Sequence, residues 1–171
     1  MGGPPVMPPQ PEGVWNSVYN DSKWKDATGP DRYRRAIYTY IKRTSGYPSF
    51  LTFDASDHDT SLARRIPTNT PLQALVTLND PVYYEAAEAM AERMIARQAN
   101  VDARIKYGAR LVLSRDLTEQ ELTALRALYQ KTLATLTLTP VVANARGSPK
   151  DLNAMTAVAS VLINLDASLT R

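Results

Sequence analysis

Apolar residues recur at helical spacing through the second half of this chain. The stripe of Val82, Ala86, Met90 and Met94 predicts a helix over residues 81–98, because residues three or four apart share one helix face. Similar stripes predict helices over 101–113, 118–136 and 151–164, with inward positions at Val101, Ile105, Gly108, Val112, Leu122, Leu125, Tyr129, Leu133, Leu136, Leu152, Met155, Ala159 and Leu162.

Capping residues mark where helices begin. Thr70 followed by Pro71 predicts a helix start, since the threonine hydroxyl can accept a free backbone N–H and proline suits the first helical position. A short buried helix is expected to follow over 72–78. The run 118–121 reads as a capping box, and Asp151 is expected to cap the last helix.

The first half of the chain is less regular. Residues 1–13 are rich in proline and lack the charged region of a signal peptide, which indicates an extended linker. A stripe including Ile37 and Ile41 predicts a first helix over 31–44. A long loop over 47–67 follows, with a short extended piece expected over 49–53, and loops of this length are often functional.

These elements predict a mainly α fold with one domain over residues 14–171, a bundle of about six helices. The 171 residues are enough for one core, and the 44% hydrophobic and 22% charged fractions are typical of globular proteins. The absence of cysteine excludes disulfides, thiolate metal sites and cysteine-linked haem. No run approaches the roughly 18 apolar residues of a membrane span.

Several segments, taken in order, resemble one family of bacterial proteins. Residues 33–44 are similar to its RRSLYTFWKRT segment, and residues 50–55 to its MLTFDA segment. Residues 64–75 are similar to its RRxxTNTPLQAL segment, followed by a similar segment over 78–81. Residues 162–171 resemble the family's usual close. The chain is therefore identified as a member of the planctomycete-type "domain of unknown function 1553" family, as its C-terminal part.

This resemblance implies a setting rather than a reaction. Family members are large exported bacterial proteins, so an exported, periplasmic or cell-surface location is expected for this chain. They often carry a haem-binding cytochrome c-like domain upstream and accompany polysaccharide-degrading systems. The resemblance thus implies upstream domains as partners and haem only in one of those domains, with no cofactor in this chain. It supplies no catalytic residues.

Acidic residues in the 47–67 loop form a candidate metal site. Asp54, Asp57 and Asp59 offer the oxygen ligands that Ca²⁺ prefers, and His58 beside them could take part in acid–base chemistry. The pattern is not an EF-hand, and aspartate is also an ordinary loop residue because it bonds its own backbone. Both interpretations remain open from sequence.

A candidate anion site precedes the helix start at Pro71. Arg64 and Arg65 with Thr68 and Asn69 could hold a sulfate, phosphate or uronate group, because guanidinium groups bind such anions in bidentate fashion. The alternative is that these arginines pair with the loop aspartates and that Asn69 braces the turn.

Basic residues are concentrated between residues 31 and 65, a segment that contains seven arginines and lysines but only four aspartates. Within this segment Arg32, Arg34, Arg35 and Arg43 form a candidate polyanion patch. The net charge of the whole chain is only +3, which is small for a nucleic-acid binder and favours a solvated or internally paired surface. An anionic polysaccharide is the alternative partner.

Three functional hypotheses follow. The first is an accessory or structural helical module of an exported protein connected with polysaccharide utilisation. The second is a fragment of a hydrolytic or metal-dependent enzyme with its site in the 47–70 loop. The third is a polyanion-binding module.

Nine of the thirteen aromatic residues lie within 15–53, where they could form a sugar-binding surface or, more commonly, a small packing cluster.

Overall fold

The computed structural model describes residues 2–10, 23–42, 46–56, 61, 63–64, 66–135 and 149–169. Across these ranges the regular structure is helical apart from one isolated β-bridge, which confirms the mainly α fold class. The chain divides into two compact units, Met1–Thr68 and Asn69–Arg171. None of the described helices is long and apolar enough to cross a membrane.

The described residues contain two 3-10 helices and seven α-helices. The 3-10 helices span Gly29–Tyr33 and Ala36–Tyr38. The α-helices are α1 (Pro48–Thr52), α2 (Pro71–Asn79), α3 (Pro81–Arg97), α4 (Val101–Leu113), α5 (Glu119–Thr135), α6 (Pro149–Ile163) and α7 (Asp166–Leu169).

Helix α6 is the centre of the second unit. It packs mainly against α3 and α5 and also contacts α2, α4 and α7. The inward face predicted for this helix is confirmed, because Leu152, Met155, Ala159 and Leu162 are all buried. The core cluster joins them to residues of α3, α4 and α5, including Met90, Met94, Ile105, Leu113, Leu122, Leu125 and Tyr129.

The predicted stripe of α3 is shifted by one position at its start. Ala86 is exposed and Val82 is half-buried, whereas Ala87 and Ala91 are fully buried with Met90. Alanines at the contact let two helix backbones approach closely, since they add little side-chain bulk. The sequence pattern therefore located the helix and the inward Met90 and Met94, and the packing placed Ala87 and Ala91 inward instead of Val82 and Ala86.

Helix α2 begins as predicted but is not buried. The Thr70 hydroxyl accepts a hydrogen bond from the backbone N–H of Gln73, whose side chain accepts one from the Thr70 N–H, which completes a capping box. Yet Leu72, Leu75 and Leu78 are 57%, 59% and 50% exposed. The expectation of a buried apolar helix was wrong because the side facing the second unit's interior is polar.

The first helix predicted over 31–44 does not form across its described part, residues 31–42. Two 3-10 turns occupy 29–33 and 36–38, and the backbone then extends, with Thr39 in a parallel bridge to Val6. The Val6 N–H donates to the Tyr38 carbonyl at 2.8 Å, and the Tyr40 N–H donates to the Val6 carbonyl at 2.7 Å. These bonds replace the helical ones. Ile37, on the predicted stripe, is 81% exposed, so no apolar surface rewards a helix here.

The loop predicted over 47–67 contains the short helix α1. Pro48 occupies its first position, where a missing N–H costs nothing, and the N–H of Phe53 donates to the Ser49 carbonyl at its end. The extended piece expected over 49–53 was therefore wrong. In the sequence, Pro48 is compatible with both an extended segment and a helix start. The hydrogen bond from the Phe53 N–H to the Ser49 carbonyl is what shows a helix.

Candidate functional site

Asp54, the described member of the candidate metal site, lies just after α1 in a left-handed conformation with φ of 55°. Its carboxylate accepts hydrogen bonds from the Thr68 backbone N–H at 2.7 Å and from the Thr68 hydroxyl at 2.8 and 2.9 Å. The carboxylate therefore joins the two ends of the loop. The other predicted ligands, Asp57, His58 and Asp59, lie outside the described residues.

No group of three or more acidic or histidine side chains that could hold a metal ion occurs within the described ranges. In this structure the Asp54 carboxylate holds Thr68 in place. The metal site proposed from sequence stays a prediction for Asp57, His58 and Asp59.

The candidate anion site is divided between the two units, whose boundary falls between Thr68 and Asn69. Arg64 is exposed, and Arg65 lies outside the described residues. Thr68 bonds Asp54, as described above. The Asn69 side-chain amide donates to the carboxylate of Asp166 at 2.5 Å, at the start of α7. Asn69 therefore contacts a segment distant in sequence, whereas the sequence predicted that it caps or braces the local turn.

Two segments of the family resemblance meet in the second unit. Besides the contact between Asn69 and Asp166, the Thr77 hydroxyl donates to the side-chain carbonyl of Asn164. Thr77 is buried, and so is Gln73 one turn earlier on the same side of α2. The polar positions of α2 therefore attach it to the segment joining α6 and α7, which explains why its leucines face outward.

The candidate polyanion patch is not a helix face. Arg34 lies over the Tyr38 ring, 3.9 Å from its centroid, and Arg32 lies 5.9 Å from the Tyr33 centroid. Arg35 is exposed, and Arg43 lies outside the described residues. Because the predicted helix is absent, these arginines do not share one surface by helical periodicity.

A polar network that the sequence analysis missed lies at one end of the helical core. The Asp151 carboxylate, in the first turn of α6, accepts hydrogen bonds from Arg104 of α4 at 3.0 Å and from the Tyr129 hydroxyl of α5 at 2.7 Å. Arg104 also donates to the Gln98 carbonyl at the end of α3 at 2.7 Å. The side chains of Arg104 and Asp151 are only 14% and 20% exposed.

This network changes the chemistry of its tyrosine. Burial, together with the hydrogen bond to Asp151 and its negative charge, raises the pKa of Tyr129 to about 12. A phenol held neutral in this way is a donor that orients the carboxylate rather than an acid–base group near neutral pH. The one sequence signal was Tyr129 on an inward stripe, since a buried tyrosine hydroxyl needs a partner.

A model of the family described as "PSD1: Protein of unknown function (DUF1553)" matches residues 1–129. This match covers most of the chain. The chain belongs to the PSD1 family. The match includes the resembling segments over 33–44, 50–55 and 64–81, whereas the resemblance over 162–171 lies beyond it. No curated protein matched the chain, and no solved structure matched it.

Proposed function

We propose that this PSD1 chain is a non-catalytic, accessory helical module of a larger exported bacterial protein connected with polysaccharide utilisation. Its partners would be the upstream domains of that protein, including a haem-binding cytochrome c-like domain. The exported setting and these partners rest on the family resemblance.

The main support is how the polar residues of the candidate sites are used. Asp54 accepts hydrogen bonds from the N–H and the hydroxyl of Thr68, and Asn69 bonds Asp166, so each holds one segment to another. In a hydrolytic site, by contrast, at least one such group would point into a cleft where a substrate could reach it. The contacts are those of structural braces.

A second support is the outward face of α2. Leu72, Leu75 and Leu78 recur at helical spacing, and each is at least half exposed. A contiguous apolar patch on a soluble domain is characteristic of a surface that packs against another part of an assembly. In the proposed parent protein an upstream domain covers this face.

Calorimetric titration tests whether the chain binds a metal ion or an anionic sugar, as an enzyme with a site in the 47–70 loop would. The purified chain would be titrated with Ca²⁺ and, separately, with sulfated and uronate-rich oligosaccharides. We expect no saturable heat. Saturable binding that is lost in Asp54→Ala, Arg64→Ala or Arg65→Ala would contradict the proposal and support an enzyme with a site in the 47–70 loop.

Hydrogen exchange tests the accessory role directly. Backbone amides of α2 would be compared in the isolated chain and in the longer parent protein. We expect slower exchange over residues 72–79 in the parent, because a covered helix opens less often. Equal exchange rates in the two proteins would show that nothing packs on this face.

A further inference from the structure

The N-terminal segment, residues 2–10, lies along the first unit in the manner of a bound peptide. The carbonyl of Pro8 accepts a hydrogen bond from the Trp24 indole N–H at 2.8 Å. The carbonyl of Pro9 accepts one from the Tyr47 hydroxyl, also at 2.8 Å. The Trp24 and Tyr47 rings are stacked, with centroids 5.7 Å apart and planes 15° from parallel. Two adjacent prolines are thus bound by two adjacent aromatic donors.

The other end of the segment is bound by an arginine. Arg34 donates to the Pro4 carbonyl at 2.9 Å and also to the Gly2 carbonyl. The guanidinium of Arg34 lies over the Tyr38 ring, and the Tyr38 hydroxyl accepts a hydrogen bond from the Gly2 N–H at 3.0 Å. The cation and the ring together form a second binding position for the segment.

Between these two positions the segment has one buried side chain. Val6 is 8% exposed, and its N–H and carbonyl form the backbone bonds to residues 38 and 40. The Met7 carbonyl accepts the Ala27 N–H at 2.7 Å. All other described side chains from residue 2 to residue 10 are half-buried or exposed. The segment is therefore recognised mainly through its carbonyls, with one apolar anchor.

This pattern matches the chemistry of proline-rich ligands. Proline has no N–H, so carbonyl oxygens are the main polar groups that such a peptide offers. Its restricted φ also means that an extended segment loses little entropy on binding. Aromatic-lined grooves with side-chain donors bind proline-rich peptides for these reasons.

We propose that Trp24, Arg34, Tyr38 and Tyr47 form a binding site for proline-rich extended peptides, which the chain's own N-terminal segment occupies in this structure. A proline-rich segment of another chain competes for the same site. The intramolecular segment then acts as a resident competitor, because its attachment gives it a high effective concentration.

The test uses the full chain with one specific protease site introduced within residues 11–22. After folding and cleavage, the segment is held only by its contacts. A fluorescently labelled peptide with the sequence of residues 2–10 is then added in excess, and anisotropy follows its binding. We expect saturable binding, with release of the original segment. If the original segment stays bound without exchange, or leaves without being replaced, the proposal is overturned.

Variants and a control peptide test the chemistry of recognition. Tyr47→Phe removes one donor and should weaken binding about three- to tenfold, as expected for one hydrogen bond. Tyr84→Phe, at a 53% exposed position of the second unit, is the matched control and should leave affinity unchanged. Arg34→Lys tests the other end of the site by removing its forked donor geometry, with a loss of similar size expected.

A peptide with alanine at the four positions of Pro4, Pro5, Pro8 and Pro9 tests the ligand class. We expect it to bind at least about threefold more weakly, because the free peptide has more conformations to lose. Equal affinity of the two peptides would overturn the assignment to proline-rich ligands. Unchanged affinity in both Tyr47→Phe and Arg34→Lys would overturn the location of the site.

Discussion

The two units of this chain are stabilised in different ways. In the second unit, α3, α4, α5 and α6 bury an apolar cluster that includes Met94, Ile105 and Leu162, each of them fully buried. In the first unit, the only buried residues among those described are Val6 and Thr39, on the two sides of one β-bridge. The first unit is further stabilised by hydrogen bonds that the side chains of Trp24 and Tyr47 donate to backbone carbonyls.

The difference follows from where backbone hydrogen bonds are made. A long helix satisfies its own N–H and carbonyl groups, so its side chains are available for apolar packing. An extended proline-rich segment cannot do this, and its carbonyls must find donors elsewhere. Polar side chains therefore carry much of the first unit's stabilisation, whereas in the second unit they add to an apolar core, at the Asp151 network and where α2 is attached.

The largest effect is expected from opening a cavity in the apolar core. Leu162→Ala removes a fully buried side chain and should lower the free energy of unfolding by about 2–5 kcal/mol. Urea denaturation followed by far-ultraviolet circular dichroism measures it. Leu51→Ala in the first unit is the matched control, because this leucine is 68% exposed and its loss should change stability by less than about 0.5 kcal/mol. Equal effects would remove the contrast between the units.

The Asp151 network adds polar stabilisation to the apolar core of the second unit. Asp151→Ala leaves Arg104 and the Tyr129 hydroxyl without their partner in a mostly buried place and should cost about 3 kcal/mol in urea denaturation. Asp116→Ala is the matched control, since Asp116 and its partner Arg110 are 68% and 67% exposed. No measurable change is expected there, because water screens an exposed pair. A small loss in Asp151→Ala would mean that the network is dispensable.

Trp24→Phe tests whether the first unit is stabilised locally by side-chain donors. Removing the indole N–H should accelerate amide exchange at Val6 and Tyr40 about tenfold, the equivalent of one net hydrogen bond. The urea transition of the helical unit should not move. Ile37→Val, at an 81% exposed position, is the control and should leave exchange unchanged. A shift of the helical transition in Trp24→Phe would show that the units do not unfold separately.

The smallest effect concerns pH and the capping box of α5. The Glu121 carboxylate accepts hydrogen bonds from Arg115 and from the Thr118 N–H, which lower its pKa to about 2. Since its folded pKa lies below the ordinary 4.5, this stabilisation is complete above pH 4.5 and is lost as pH falls towards 2.

Glu121→Gln should therefore be less stable than the wild type at pH 7, by about 0.5–1 kcal/mol, because the group is 34% exposed and partly screened. The difference between the two proteins should disappear near pH 2. Denaturation curves at both pH values measure this. A difference that stays constant across the pH range would show that the ionised carboxylate is not responsible.

The helices of the core were predictable because their signals are local. The predictions for 81–98, 101–113 and 118–136 lie within one residue of α3, α4 and α5 at each end. Capping residues and period-3.6 stripes act over one or two turns, and no distant residue is needed to read them. The helix start at Thr70 and the capping box at Thr118 were predicted for the same reason and are confirmed, and the structure adds a capping box at Thr70.

The candidate sites were less predictable, since each depends on a partner distant in sequence. Asp54 was grouped with its neighbours in the loop, but its carboxylate bonds Thr68, 14 residues away. Asp151 was interpreted as a helix cap, and it bonds Arg104 instead, 47 residues away. Nothing in the spacing of these residues indicates which carboxylate meets which donor.

By itself, the sequence determined the fold class, the core helices, the starts of α3, α4 and α5, and the membership in the PSD1 family, because these follow from local periodicity, capping and ordered motifs. Only the tertiary structure decided that the described residues 31–42 do not form the predicted helix and that α2 turns its leucines outward. Both outcomes were set by long-range hydrogen bonds, of Val6 with residues 38–40 and of Thr77 with Asn164. Such bonds outweigh local propensity, which amounts to less than about 1 kcal/mol per residue.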